Sequence, residues 1–348
     1  MAEAAAGRGR PAPGGRTPGH GPGGRRAGLA LGIGSYAMWG VLPLYLVLTR
    51  PAGALEVIAH RVIWSALALV VIGAATRQTA ELRRAFADSK TLAVLTAAGA
   101  LLTVNWLVFV WAVFHDRLVD AALGYFMNPL ISVLLGVVLL GERLRPAQWA
   151  AVGIGAGAVI VVGIGVDSFP WVAPALAFSF GFYGYIEKRV GARVTALTSL
   201  SVETLVVAPA ALVCAAALMA GGQAAFGVRG PWHTLAMIGL GLATVAPLLA
   251  FNGAARRLPL SVLGFLQYLA PVMQFVIGVV VFRETMPAAR WAGFVIVWVA
   301  LIVLSADAVW SGRRVRRVRR VRRVRRVRRA QPGAGRASRR LRSPRPEP

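Results

Sequence analysis

Ionisable side chains inside long apolar runs are where chemistry is expected in this chain. Each costs about 2.5–3.5 kcal/mol at the centre of a bilayer and so tends to face a cavity or a partner. The deepest are Arg61, with His60 and Glu56 just before it, and Glu203. Arg61 lies about 7 Å in from the outer end of its run, and Glu203 about 9 Å in from the cytoplasmic end of its own. Across a core of ~30 Å that leaves about 14 Å between their levels, so no direct salt bridge is expected. Two readings follow: both line one pathway, with Glu203 able to bind a proton or a cationic group, or both reach interfacial water and anchor helix ends. Uncharged candidates for the same pocket are Trp39, Asn105, Trp106, Tyr125, Asn128, Tyr183, Gln267, Tyr268 and Gln274. Asn128 precedes Pro129, and Gln267 and Gln274 flank Pro271. Proline removes one intrahelical hydrogen bond and frees a carbonyl, so Pro129 and Pro271 mark candidate helix interruptions.

Catalytic signatures are missing from the sequence. There is no H-E-x-x-H, no Walker A, no G-x-G-x-x-G between a strand and a helix, and no paired-aspartate motif. His20, His60, His115 and His233 are scattered and suggest no zinc set. No enzyme activity, metal or cofactor is expected.

The elements that hold these residues follow from composition. Of 348 residues, 57% are apolar, 39 more are Gly, and 15% are charged. With Gly the apolar share is about 68%, against roughly 45–50% for a soluble domain, which excludes a water-soluble globule. A lone Cys214 cannot form an intramolecular disulfide. The predicted class is an all-α integral membrane protein with ten transmembrane helices, near 28–48, 57–76, 91–114, 121–140, 147–166, 169–186, 197–219, 232–252, 261–282 and 288–306. The count of ten rests on a turn at Asp167-Ser168. Residues 1–27 read as a disordered basic arm. Trp149, Trp171, Trp232 and Trp291 fall at span ends, as an interfacial belt would, and Gly153 and Gly157 offer a GxxxG packing face.

Loops after the even spans carry Arg77, Arg83, Arg84, Lys90, Arg143, Arg145, Lys188, Arg189, Arg193, Arg256 and Arg257. The other loops and adjoining helix starts carry Arg50, Arg61, Arg117, Arg229, Arg283 and Arg290. Eleven against six puts both termini in the cytoplasm.

The chain also repeats itself. A shift of 142 residues lays Pro129 on Pro271, Gly136 on Gly278, Glu142 on Glu284, Trp149 on Trp291 and Arg61 on Glu203, and a shift of 141 lays Thr103-Val104 on Thr244-Val245. The expected layout is two five-helix repeats, 28–166 and 167–306. Since five is odd, the second is inverted, an arrangement typical of secondary transporters. Glu142 and Glu284, at span ends beside Arg143 and Arg283, read as loop charges.

Tyr36-Ala-Met-Trp-Gly-Val-Leu-Pro-Leu-Tyr45, Leu55-Glu-Val-Ile-Ala-His-Arg-Val-Ile-Trp64, Asn105-Trp106 with Trp111-Ala112, Leu123-Gly-Tyr-Phe-Met-Asn-Pro129, Arg256-Arg-Leu-Pro-Leu-Ser261 and Leu263-Gly-Phe-Leu-Gln-Tyr-Leu-Ala-Pro271 occur in order. Together they resemble the RarD proteins of the EamA branch of the drug/metabolite transporter superfamily, over about 27–306. The resemblance implies a bacterial inner-membrane permease with a central cavity between inverted halves, moving small organic molecules, often outward, with a family link to chloramphenicol sensitivity. The alternative is a membrane receptor or scaffold that binds ligand without net transport.

The formal charge of +26 suggests nucleic acid until it is located. Residues 1–312 carry 22 basic and 12 acidic side chains, and 313–348 carry 17 and 1. The excess is an Arg-rich tail, 307–348, read as disordered and cytoplasmic. Five Arg-Arg-Val triplets run from Arg313 to Val327, a period that drifts around a 3.6-residue helix and specifies no amphipathic face. The expected partners are a small-molecule substrate, the bilayer and, through the tail, anionic lipid, with no nucleic acid. The competing reading is a tandem expansion in an Arg-biased sequence, where 37 of 39 basic residues are Arg.

Overall fold

The computed structural model describes residues 22–307, apart from 77, 142–143, 165–170, 191–192 and 256. Residues 1–21, Glu142, the Asp167-Ser168 turn and the Arg-Arg-Val tail lie outside the described residues. Every regular element among the described residues is helical. They are α1 (Pro22–Val47), α2 (Ala54–Ala75), α3 (Thr79–Ala87), α4 (Ser89–Phe114), α5 (Leu118–Leu140), α6 (Pro146–Ile164), α7 (Val172–Val190), α8 (Ala196–Ala220), α9 (Pro231–Ala255), α10 (Leu260–Leu266), α11 (Leu269–Val276) with a π-helical turn at Ile277–Val281, and α12 (Ala288–Asp307).

Nine of these segments are long and apolar enough to cross a bilayer, α10, α11 and the π turn counting as one. α7 has 19 residues but carries Glu187, Lys188 and Arg189 near its end, and it packs between α4 and α5. Two expectations are corrected. α1 begins at Pro22, so 22–27 are helical and not part of a disordered arm. Proline suits a first turn because its missing N–H would find no partner there. The Arg77–Lys90 stretch is not plain loop: α3 lays Ala85 against α8, and Glu81 accepts the Thr195 N–H at 2.6 Å at the head of α8.

The two halves interleave. α5 packs on α7 and α1 on α11; α4 on α7 and α1 on α9; α2 on α9 and α4 on α8; α2 meets α8 and α5 meets α11. This set maps onto itself when each helix of α1, α2, α4, α5 is exchanged with its counterpart in α7, α8, α9, α10–α11. Three glycines permit the closest approaches to another backbone, Gly124 among them, where a Cβ would stand 2.7 Å from the Ala173 carbonyl oxygen of α7. A Cβ on Gly99 would stand 2.8 Å from the Glu203 carbonyl oxygen, and one on Gly241 would stand 2.6 Å from the backbone of Trp64. α4 is thereby seated on α8, and α9 on α2. The expected GxxxG face does not form: nothing lies within 4 Å of a Cβ at Gly153 or Gly157, and Gly155 instead meets Leu130.

The two prolines behave differently. Pro129 does not interrupt α5, which runs unbroken for 23 residues. Its neighbours Phe126, Met127, Leu130 and Ile131 are all buried, and a helix packed on several sides holds its course around a missing bond. In the second half, α10 ends at Leu266 and α11 starts at Leu269, so the break falls at Gln267–Tyr268. Gln267 is the residue four before Pro271, whose carbonyl the proline ring displaces. Phe265, Val272 and Val276 around it are exposed, while Tyr268 at the break stacks on Phe126 of α5.

Candidate functional site

The site is best described with α4 as a ruler. At its upper level Arg61, on α2, is 3% exposed. Its Nε donates to Thr244 Oγ1 on α9 at 2.9 Å, and its guanidinium carbon lies 4.2 Å from the Trp106 ring centroid on α4. Thr244 in turn donates to the Leu240 carbonyl, so its oxygen is held toward the arginine. Tyr125, on α5, is within electrostatic reach of Arg61, whose Nη1 has no hydrogen-bond partner.

One step along α4 toward its N-terminus, Tyr125 donates to Asn105 Oδ1 at 3.1 Å. Asn105 Nδ2 donates to the Leu176 carbonyl at 3.1 Å and to Ser179 Oγ at 2.9 Å, both on α7. Ser179, Tyr183 and Glu187 recur every four residues and form one stripe of α7. Tyr183 donates to Glu203 Oε2 at 3.3 Å, and Ser199 Oγ lies 3.1 Å from Glu203 Oε1 and 2.5 Å from Glu187 Oε1. Glu203 is 1% exposed, and no described cation pairs with either carboxylate. Gly99 and Trp106 mark the two levels on α4, so Arg61 and Glu203 are about 10 Å apart along the axis. No direct ion pair links them.

Arg61, Asn105, Trp106, Tyr125, Tyr183 and Glu203 thus come together as a polar ladder. The other sequence candidates do not join it. His60, rotated about 100° from Arg61 on α2, stacks on Phe226 at 4.1 Å. Beside it Glu56 Oε1 accepts the N–H groups of Ala225 and Phe226, each at 2.8 Å. Trp39 packs edge-on to Tyr36, and its carbonyl accepts from Gln274 Nε2 at 3.2 Å. Asn128 is half-buried with Oδ1 unpartnered, Gln267 is exposed at the helix break, and Tyr268 stacks on Phe126.

Sequence reasoning missed Thr244, Ser179, Ser199 and Glu187 as ladder members. Thr244 had one signal, its repeat pairing with Thr103, whereas the serines had none, since hydroxyls are ordinary in membrane helices. Glu284, expected as a loop charge, is buried and accepts the Leu118 and Val119 N–H groups at 2.6 and 2.9 Å. It caps α5 from the other half. Burial pushes its carboxyl up from the ordinary glutamate value, against the downward pull of those two N–H groups. Asp120, near this cap, pairs with Arg290 at 3.3 Å.

A model of the EamA-like transporter family matches the chain twice, over 26–164 and 171–306. A Streptomyces exfoliatus protein named RarD is 44% identical over 292 residues, 84% of this chain and 92% of that one. An uncharacterized transporter of Pseudomonas aeruginosa is 40% identical over 290 residues, 83% of this chain and 97% of that one. A crystal structure that is 20% identical superposes with a TM-score of 0.51 over 82% of this chain and 99% of the other, a likeness of fold.

Proposed function

The chain belongs to the EamA-like transporter family, and on that premise we propose that it is a secondary transporter carrying small organic molecules outward across a bacterial plasma membrane by alternating access. The ladder carries this reading. Arg61, Asn105, Trp106 and Tyr125 come from the first half, and Ser179, Tyr183, Glu187, Ser199, Glu203 and Thr244 from the second. Hydrogen bonds cross the seam at Arg61–Thr244 and Asn105–Ser179, so rocking one half against the other breaks and remakes contacts of the site itself. With α7 as the sixth of ten spans, the second half enters the membrane inverted and both termini face the cytoplasm.

The lower level is the coupling station. A serine hydroxyl has one proton, so with Glu187 and Glu203 both ionised it satisfies only one of them. A proton on either carboxyl lets that group donate back to Ser199 Oγ while the serine donates to the other. The cluster is therefore built to take up and release one proton. Flux of an amphiphilic panel that includes chloramphenicol, measured in proteoliposomes with an imposed pH gradient, tests the reading. Glu203→Gln is expected to slow gradient-driven flux. Unchanged flux with unchanged pH dependence would remove the proton coupling, and ligand binding with no net flux would make the protein a receptor.

A further inference from the structure

Arg61 presents five N–H donors and stays charged under all physiological conditions. Within the described residues it has no carboxylate at ion-pair distance. Thr244 satisfies Nε and the Trp106 face covers one side of the guanidinium, but Nη1 is buried without a partner. The buried carboxylates have other partners: Glu56 Oε1 takes the Ala225 and Phe226 N–H groups while its Oε2 is left without one, Glu203 takes Tyr183 and Ser199, and Glu284 takes the head of α5. A buried cation left without a counter-charge is strongly unfavourable, and a helix bundle retains one where an anion joins it.

We infer that Arg61 recognises a carboxylate on the transported molecule, whose apolar body lies against Trp106 and Tyr125. The inference deepens the transport reading and takes from it only the word transported. Charge counting favours a carboxylate over a phosphate monoester. A single positive charge neutralises a monoanion, whereas a dianion would leave net negative charge among aromatic walls. The neutral partners sharpen the choice. Thr244 and Trp106 hold the guanidinium in place without neutralising it, so its charge remains available to a ligand.

The test uses the full chain purified in detergent, with benzoate, phenylacetate and 3-phenylpropionate as probes beside their neutral primary amides and phenyl phosphate. Binding is read by calorimetry and by the shift in melting temperature. At least one acid is expected to bind the wild-type protein tenfold or more tightly than its amide. Arg61→Gln should abolish that preference, and Arg61→Lys, which keeps the charge but loses the planar fork, should reduce it. The acid–amide comparison on the wild-type protein needs no variant, so a folding defect at Arg61 does not rescue the idea. Equal binding of acid and amide, a preference that survives Arg61→Gln, tighter binding of phenyl phosphate, or no binding by any acid would overturn it. An acid preference without flux in proteoliposomes would support this inference while overturning the transport reading.

Discussion

The two levels of the ladder carry opposite charge and opposite states of satisfaction. At the upper level one cation has one neutral hydrogen bond, one aromatic face and a buried donor to spare. At the lower level two carboxylates, a serine and a tyrosine are joined to one another, with more acceptors than protons. A site short of an anion is completed by something from outside, and a site short of a proton by the smallest of cations. On the proposed reading the difference divides the work, ligand recognition falling to Arg61 and coupling to Glu203, with the Asn105–Tyr125 and Asn105–Ser179 bonds lying between the two levels.

The largest break in this comparison comes from removing the cation. Truncating one partner of a buried charge pair costs about 3–5 kcal/mol, and each 1.4 kcal/mol is tenfold. Arg61→Gln should therefore lower flux of an anionic substrate by about 100-fold or more in proteoliposomes, while exchange of any neutral substrate persists. Loss of neutral and anionic flux together would mean that Arg61 is a structural post of α2 and α9, and the division of labour would fall.

How much of this was legible depended on how local the signal was. Helix length and apolar content are summed along the chain, so the spans and the all-α class were readable. Arg61 and Glu203 stood out because charge in hydrocarbon is rare. Their partners did not, because Thr244 is 183 residues from Arg61 and Ser179 is 74 from Asn105, and only packing brings them near. Glu187 falls just outside the expected span 169–186, beside the charged Lys188 and Arg189, yet it lies within α7. α3 was hidden by its brevity, nine residues with too few apolar positions for a span. Pro129 and Pro271 share chemistry and repeat position but sit among different neighbours, Leu130 and Ile131 beside the first and Phe126 stacked on Tyr268 at the second, and only the second helix breaks. Neighbours of that kind are invisible in a single line of sequence.

A smaller effect probes the coupling level. Ser199→Ala removes the hydroxyl that touches both carboxylates and leaves the charges in place. A hydrogen bond to a charged group contributes about 1.5–3 kcal/mol, so gradient-driven flux should fall by roughly ten- to a hundredfold. Substrate exchange at equal pH on both sides, which needs no net proton movement, should be unchanged. An equal loss in both assays would place Ser199 in the translocation step common to them and detach it from proton handling.

The smallest effect is the control for both levels. Glu284 is a buried carboxylate like Glu203, but its partners are the backbone N–H groups of Leu118 and Val119, so its role is to cap α5. Glu284→Gln keeps one acceptor oxygen and should destabilise the protein by about 1 kcal/mol or less, with flux unchanged. The pH dependence has a definite sign. Burial raises the folded-state value of this carboxyl above its unfolded value, so its contribution is fully present below the unfolded value and is lost as pH rises through the folded one. The melting temperature of the wild-type protein minus that of Glu284→Gln should therefore grow as pH is lowered from 8 toward the ordinary glutamate range. A difference that instead shrinks on acidification would show that the two N–H bonds outweigh burial. A loss of flux in this variant would extend the functional site beyond the ladder to the cap that joins α5 to the second half.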